Sequence, residues 1–224
     1  MTPLPWSFSA LSDFLNCPRA FFHKRIAKDV VEQPNEAGLW GDYVHKELDK
    51  YLKSDGTYEL PSNVVQYQRH ADQFLGQPGR MLSECKYAIN RELQPCDFFA
   101  SDVWCRCIID VLVLEPPFAL ATDHKTGKRK RDSTQLKLCA LMVFAHHPEV
   151  QTCLTRFDWL NEKAQDKEVF QREDETLLWS TFVPSLTQYV HAFKTEEFPP
   201  RPSGLCGWCP VTECEFWRPR PKGR

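Results

Sequence analysis

One stretch of the chain sets two aspartates and a lysine among mostly apolar residues: Cys107-Ile-Ile-Asp110-Val-Leu-Val-Leu-Glu-Pro-Pro-Phe-Ala-Leu-Ala-Thr-Asp123-His-Lys125-Thr-Gly127. The Pro116-Pro117 pair breaks it in the middle. Taken as the centre of an antiparallel hairpin, this break sets residue 110 opposite residue 123, and directly opposed residues share a sheet face. Residue 125 joins that face because strand side chains alternate with a period of two. Two carboxylates and one ammonium group are therefore expected at one point. An aspartate between Ile109 and Val111 is costly to bury unpaired, and a bound divalent cation removes that cost. Phosphodiester hydrolysis needs charge neutralised on the phosphate and a hydroxide made near neutral pH, and carboxylate-held Mg²⁺ or Mn²⁺ does both. Asp110 and Asp123 are the expected metal ligands. Lys125 is expected to orient the water and counter developing negative charge. An isolated Asp-x-Lys is most often an ordinary ion pair on a hairpin; the spacing about Pro116-Pro117 and the apolar strand weigh against that reading here.

A second constellation lies in the tail. Cys206-Gly-Trp-Cys209-Pro-Val-Thr-Glu-Cys214 is a C-x2-C-x4-C run in a segment rich in Pro, Cys and Arg and without periodicity. Small reduced segments of this kind are usually held by a metal. Three thiolates leave a fourth ligand to find, and Cys17, beside Pro18 at the other end of the chain, is the candidate. Such a site would close a very long loop and staple the termini together. Spacing alone allows Zn²⁺ and an iron–sulfur cluster equally. Cys85, Cys96, Cys105, Cys107, Cys139 and Cys153 read as small apolar residues, with Cys105 and Cys107 on the sheet face opposite Asp110.

The elements that must position these groups follow from the pattern of apolar residues. Ser7 or Ser9 caps a helix through Leu11, Phe14 and Leu15, which Cys17-Pro18 interrupts. Residues 20–27 continue helical. A second helix over 39–52 buries Trp40, Val44, Leu48 and Tyr51/Leu52, and Ser54-Asp55-Gly56 ends it. Residues 63–74 are a further helix candidate. Residues 82–93, 103–114 and 118–124 read as strands. A helix over 133–145, a strand over 150–160 and a long helix over 174–193 follow, with Pro184 at a bend or boundary of the last. This order predicts an α/β (α+β) fold with a mixed sheet flanked by helices. One domain over residues 1–224 is expected, with a helical part over 1–80, a catalytic core over 81–197 and the Cys-rich segment over 198–224.

Composition narrows the class. The 224 residues are 42% hydrophobic and 26% charged, which suits a globular protein. No apolar run approaches membrane-spanning length, and Met1 to Phe8 lack the pattern of a signal peptide. The cytoplasm is therefore expected, where ten cysteines stay reduced and metal ligation is a better expectation than disulfides. The net charge of −2 does not mark a nucleic-acid binder. DNA contacts must then come from local clusters: Arg19 to Lys28 (Arg19, His23, Lys24, Arg25, Lys28) and Lys125 to Arg131 (Lys125, Lys128, Arg129, Lys130, Arg131). Such clusters are usually solvated surface. Phe21, Phe22 and Trp208 could stack bases, though core is the simpler place for them. No P-loop pattern is present, so no motor is evident.

The pieces taken together resemble the RecB-type branch of the PD-(D/E)xK nucleases, which includes the AddB and CRISPR-adaptation nucleases. The matching pieces are Ser9-x-Leu-x-x-Phe14-x-x-Cys17-Pro18, Gly41-x-x-x-His45-x-x-Leu48, Ile109-Asp110, Asp123-His-Lys125-Thr-Gly127 and Gln135-Leu136, in the family's order and over most of the chain. The resemblance implies a restriction-endonuclease-like core. It implies that His45, Asp110, Asp123 and the backbone carbonyl of His124 hold Mg²⁺ or Mn²⁺, that Lys125 is the catalytic lysine, and that Gln135 positions the lysine or contacts DNA. It also implies a [4Fe–4S] cluster on Cys17, Cys206, Cys209 and Cys214, joining the N- and C-termini. Two departures stand out: Asp123 replaces a frequent Glu, and Cys139 stands where a Tyr is common. Glu84 is a candidate second-metal ligand, with an exposed structural Glu as the simpler reading.

The implied activity is a metal-dependent exonuclease on DNA ends or single strands, in recombination, repair or phage DNA processing, with a helicase or recombination protein as a partner. Arg19, Lys24, Arg25, Lys128 and Arg129 are the expected phosphate contacts. Two other readings compete: a non-catalytic DNA-binding subunit that kept the fold, and a zinc-binding interaction protein.

Overall fold

A computed structural model of the protein describes residues 1–31, 35–129 and 132–219. Along the chain run α1 (Phe8–Asn16), α2 (Pro18–Phe21), α3 (Glu36–Lys53), α4 (Gln68–Asp72), β1 (Arg80–Ile89), β2 (Pro95–Cys96) and β3 (Cys105–Glu115). Then come β4 (Phe118–Lys125), α5 (Thr134–His146), β5 (Thr152–Trp159), β6 (Ala164–Gln171), α6 (Glu175–Ser180) and α7 (Val183–Thr195). The expected mixed α/β architecture is present. The chain divides into two compact units, Asn35–Thr181 and Met1–Pro34 with Phe182–Arg224. No helix among the described residues is long and apolar enough to cross a membrane.

The larger unit is built on a six-stranded sheet in the order β2-β1-β3-β4-β5-β6. All neighbours are antiparallel except β4 and β5. A parallel pair needs a crossover, and α5 supplies it. Its sequence, TQLKLCALMVFAH, is apolar on nearly every side, and Leu136 and Leu138 to Phe144 are all buried, as expected of a helix enclosed by its surroundings. It packs on β1, β3, β4 and β5 and against α6. A second core forms where Val44, Leu48, Tyr51 and Leu52 of α3 meet Val111, Val113 and Leu160. Asn35 starts α3 by accepting the Gly38 N–H at 2.7 Å. Gly79, at φ +96°, sits just before β1, and a Cβ there would fall 2.6 Å from the Leu114 carbonyl oxygen. Only glycine meets both the left-handed backbone and that approach.

Four expectations change. Residues 63–74 do not make one helix: Val65–Tyr67 form a 3₁₀ turn and α4 has only five residues. The short strand β2 was not expected. Residues 174–193 divide into α6 and α7, and Pro184 falls in the first turn of α7, where its missing N–H costs nothing. β6 was not expected either. Its sequence, AQDKEVFQ, is polar, and of its side chains only Phe170 is buried. As an edge strand it needs one partner, and its backbone pairs with β5 over its whole length.

Beneath β5 lies a buried polar network. Asp158 is fully buried, faces His70 Nδ1 at 3.0 Å and accepts from Gln73 Nε2 at 3.0 Å. Burial raises the Asp158 pKa, but His70 outweighs it and holds the carboxyl below its ordinary range. Asp158→Ala strands His70 and is expected to cost about 3–5 kcal/mol. Thermal unfolding should then fall by roughly 10 °C; an unchanged transition would show that the network is not stabilising.

The smaller unit is held by aromatic rings. Ser7 caps α1, accepting the Ala10 N–H at 3.2 Å. Phe14 packs edge-on to Phe21 at 5.7 Å and to Tyr189 at 5.2 Å, and Tyr189 lies 4.9 Å from Phe193. Phe21 is therefore core, not a base-stacking platform.

Candidate active site

The register of β3 with β4 runs from Glu115↔Phe118 to Val111↔Thr122. One further step would pair Asp110 with Asp123, as the symmetry about Pro116-Pro117 requires. The ladder stops at that step. Asp110 Oδ2 instead accepts the backbone N–H of His124 at 2.7 Å, so a side chain takes the place of a ladder bond and the strands part at the site.

Two other elements close on Asp110. From α3, His45 brings Nδ1 to 3.5 Å from Asp110 Oδ1. Gly41, one turn earlier, lets that helix approach: a Cβ there would lie 3.0 Å from Thr126 Oγ1. The Gly41-x-x-x-His45 spacing thus has a steric reason, since the glycine admits Thr126 and the histidine reaches the aspartate. From β1 comes Glu84, in the left-handed region at φ +50°. This kink changes the alternation. Ser83 donates to Asp49 of α3 at 2.6 Å, and its neighbour Glu84 faces α3 as well. His45, Glu84 and Asp110 offer ligand atoms within 4.8 Å of one another. Glu84 is thus placed with the expected ligands His45 and Asp110, where the sequence marked it only as a second-metal candidate.

Asp123 and Lys125 stand on the side of β4 that meets α5. Lys125 Nζ lies 2.7 Å from Asp123 Oδ2 and donates to Gln135 Oε1 at 3.0 Å. Gln135, in the first turn of α5, donates through Nε2 to Asp123 Oδ1 at 2.5 Å. One amide thus fixes both the acid and the base. Lys125 Nζ also lies 5.1 Å from the centre of the Phe157 ring, a contact that no sequence motif signals.

The charges are mutually dependent. Burial pushes the Asp123 carboxyl up, and Lys125 only partly offsets this against the nearby Asp110 charge, leaving it at about 6. Burial would also raise Asp110, but His45, His124 and the His124 N–H hold it low. For His45, burial lowers the pKa and the Asp110 carboxylate overrides it, raising it to about 9. Burial pushes His124 down to about 4, so its ring is neutral at pH 7. One ionised carboxylate, one that takes up a proton near neutrality and an imidazole kept protonated by Asp110 make a site where a cation would bind only by displacing protons.

The expected phosphate contacts are differently placed. Arg19 pairs with Glu215 at 2.5 Å and Arg25 with Asp13 at 2.6 Å, while Arg129 is bound by Asp166. These guanidinium groups are already engaged by carboxylates on the surface. Lys24 and Lys128 belong to the same two clusters, and Lys130 and Arg131 lie outside the described residues.

Within the smaller unit, Cys17 is brought toward the tail. Cys17 and Cys214 both lie close enough to Cys209 to help raise its thiol pKa, after burial as the main cause. Backbone N–H groups point at two of the sulfurs: Arg201 N is 3.4 Å from Cys17 Sγ and Ser203 N is 3.3 Å from Cys206 Sγ. Such bonds stabilise thiolates. By contrast Cys107 and Cys139 meet sulfur to sulfur at 3.9 Å inside the larger unit, in keeping with small apolar residues.

Two solved structures resemble the chain in fold. SSO0001 is 13% identical with a TM-score of 0.50, over 97% of this chain and 89% of that one. A protein from Eubacterium rectale named as a candidate exonuclease is 12% identical with a TM-score of 0.52, over 98% of this chain and 90% of its own. No curated protein matches the chain. The model of the PD-(D/E)XK nuclease superfamily matches residues 5–214, spanning Cys17, His45, both aspartates, Lys125, Gln135 and the tail cysteines, and the chain belongs to that superfamily.

Proposed function

We propose that the protein is a Mg²⁺- or Mn²⁺-dependent deoxyribonuclease that works as an exonuclease on DNA ends or single strands, in recombination or repair. The observation that carries this reading is the meeting of His45, Glu84 and Asp110 beside the Asp123–Lys125–Gln135 group. The donor set fits the metal. His45, Glu84 and Asp110 bring one imidazole nitrogen and two carboxylates within 4.8 Å of one another, so that only small side-chain movements separate them from a shared cation. Their hard oxygens and single imidazole suit Mg²⁺ and Mn²⁺.

His45, Glu84 and Asp110 would hold the ion, with Asp123 and the His124 carbonyl completing the set that the family resemblance implies. When bound, the cation neutralises charge on the phosphate and lowers the pKa of a water. Gln135 holds the Lys125 ammonium at the edge of the site. From there Lys125 orients the attacking water and meets the negative charge that grows on the phosphate. In the metal-free protein Asp123 takes up a proton near neutral pH, which a bound cation would displace. The tail and Cys17 would hold a [4Fe–4S] cluster of structural role, supported by the N–H bonds to sulfur. A helicase or recombination protein is the expected partner.

Two consequences concern metal binding. Glu84→Gln is expected to weaken Mn²⁺ binding at least about tenfold in a calorimetric titration; unchanged affinity would remove Glu84 from the site. His45 carries a proton below about pH 9 in the metal-free protein, and binding must expel it. Mn²⁺ affinity should therefore rise with pH from 6.5 toward about 9, with proton release detectable across buffers. A flat profile would show that His45 is not a ligand.

The activity itself is tested with end-labelled linear DNA, single-stranded and duplex, beside closed circular DNA, in Mg²⁺, in Mn²⁺ and with chelator. Metal-dependent loss of the linear substrates with the circle spared is expected. Cutting of the circle would make the enzyme an endonuclease, and no cleavage under either metal would favour a non-catalytic DNA-binding subunit.

A further inference from the structure

Outward from the metal centre, one side of β1 and β3 continues as an open groove of about 670 Å³, lined in part by His45, Lys86, Ile108 and Asp110. Alternation along β3 places Arg106 on the same side as Ile108 and Asp110, roughly 13 Å from Asp110 at the usual strand rise. Register sets Lys86 beside Ile108. At the far end the Arg106 guanidinium lies over two rings, 5.4 Å from Phe98 and 5.8 Å from Phe99. Arg106 Nε also donates to the Phe98 carbonyl at 2.7 Å, which ties the loop to the strand. Phe99 is 80% exposed and Ile108 41% exposed. A lone exposed phenylalanine needs no explanation. This one shares an arginine with a second ring, at the end of a face that carries Lys86 and leads to the metal ligands. Of the acids lining the groove, Asp49 is engaged by Lys53 and Ser83, Glu84 and Asp110 belong to the proposed metal set, and Asp42 shares the lining with Lys46, Lys53 and Lys86.

We propose that this face is the track for a single-stranded segment of the DNA substrate, with a base stacked on Phe99 and phosphates met by Lys86 and Arg106. The choice of DNA rests on the nuclease reading. The choice of a single strand rests on the exposed ring, because a base must be unpaired to offer its face to a side chain, and such stacking is indifferent to sequence. Arg106 has a double use: it stiffens the aromatic pair and carries the charge that a phosphate seeks.

The test is photo-crosslinking with a single-stranded oligonucleotide carrying 5-iododeoxyuridine, in Ca²⁺ so that binding is read without cleavage. The expected adduct is on the Phe98–Phe99 peptide, found by mass spectrometry. Phe99→Ala should lower its yield and raise KM for single-stranded DNA, each by about tenfold. Phe118→Ala, a phenylalanine 57% exposed at the opposite end of the β3–β4 hairpin, should leave both unchanged. Adducts only elsewhere, an unaffected Phe99→Ala protein, or equal labelling by a blunt duplex would overturn the proposal. Labelling at Phe99 by a protein that cleaves no DNA would keep the surface and remove the nuclease reading. Cleavage unaltered by Phe99→Ala would do the reverse.

Discussion

Lys125→Ala is expected to lower DNA cleavage by at least about a thousandfold while DNA binding persists. Lys125 lies 2.7 Å from Asp123 and is held at 3.0 Å by Gln135, so its charge sits at a fixed point beside the proposed metal ligands. Removing it takes a fixed positive charge away from Asp123 and Gln135. It also leaves Asp123 more prone to hold its proton, because Lys125 is the main group that lowers the Asp123 pKa. Both changes act on the chemical step. Gln135→Ala should be milder, loosening the lysine without removing its charge. Retained turnover in Lys125→Ala would exclude the lysine from the mechanism.

The second large effect is on the smaller unit. Cys209→Ser is expected to abolish the brown colour of an iron–sulfur protein and leave the protein poorly soluble. The tail has a single 3₁₀ turn, Cys206–Trp208, and Val211 is its one buried hydrophobic among the described residues. So little apolar burial cannot order the segment, and metal–thiolate bonds would supply what is lacking. Iron and sulfide should both be present in wild type and absent from the variant. A stable, active, colourless variant would show that the cluster is dispensable; zinc in place of iron would replace the cluster with a zinc site.

Much of this arrangement is written locally. The strand break at Pro116-Pro117 sets the β3–β4 register as far as Val111↔Thr122, because a hairpin's register follows from its turn; past that pair Asp110 leaves the ladder for the His124 N–H. The Gly41-x-x-x-His45 spacing likewise reports a helix that must pass close to Thr126. Other features depend on the assembled fold. Nothing about Glu84 in the sequence announces a left-handed backbone at φ +50°, yet that kink turns it toward α3. Asp123 and Asp110 were expected as equivalent ligands, but Gln135 draws Asp123 toward Lys125, and only tertiary packing decides that. The edge strand β6 carries almost no hydrophobic signal, since its order comes from backbone pairing with β5. The ion pairs of Arg19, Arg25 and Arg129 with Glu215, Asp13 and Asp166 are likewise not legible in the sequence, because the partners become neighbours only on folding.

Asp110, Asp123 and Lys125 are proposed to form a metal-dependent hydrolytic centre. Its most direct test compares wild type with Asp123→Ala on end-labelled linear DNA while Mn²⁺ is titrated. The structure predicts cleavage that rises with Mn²⁺ in wild type and is absent from the variant at every concentration. Equal cleavage by the two proteins, or none by either, would contradict it.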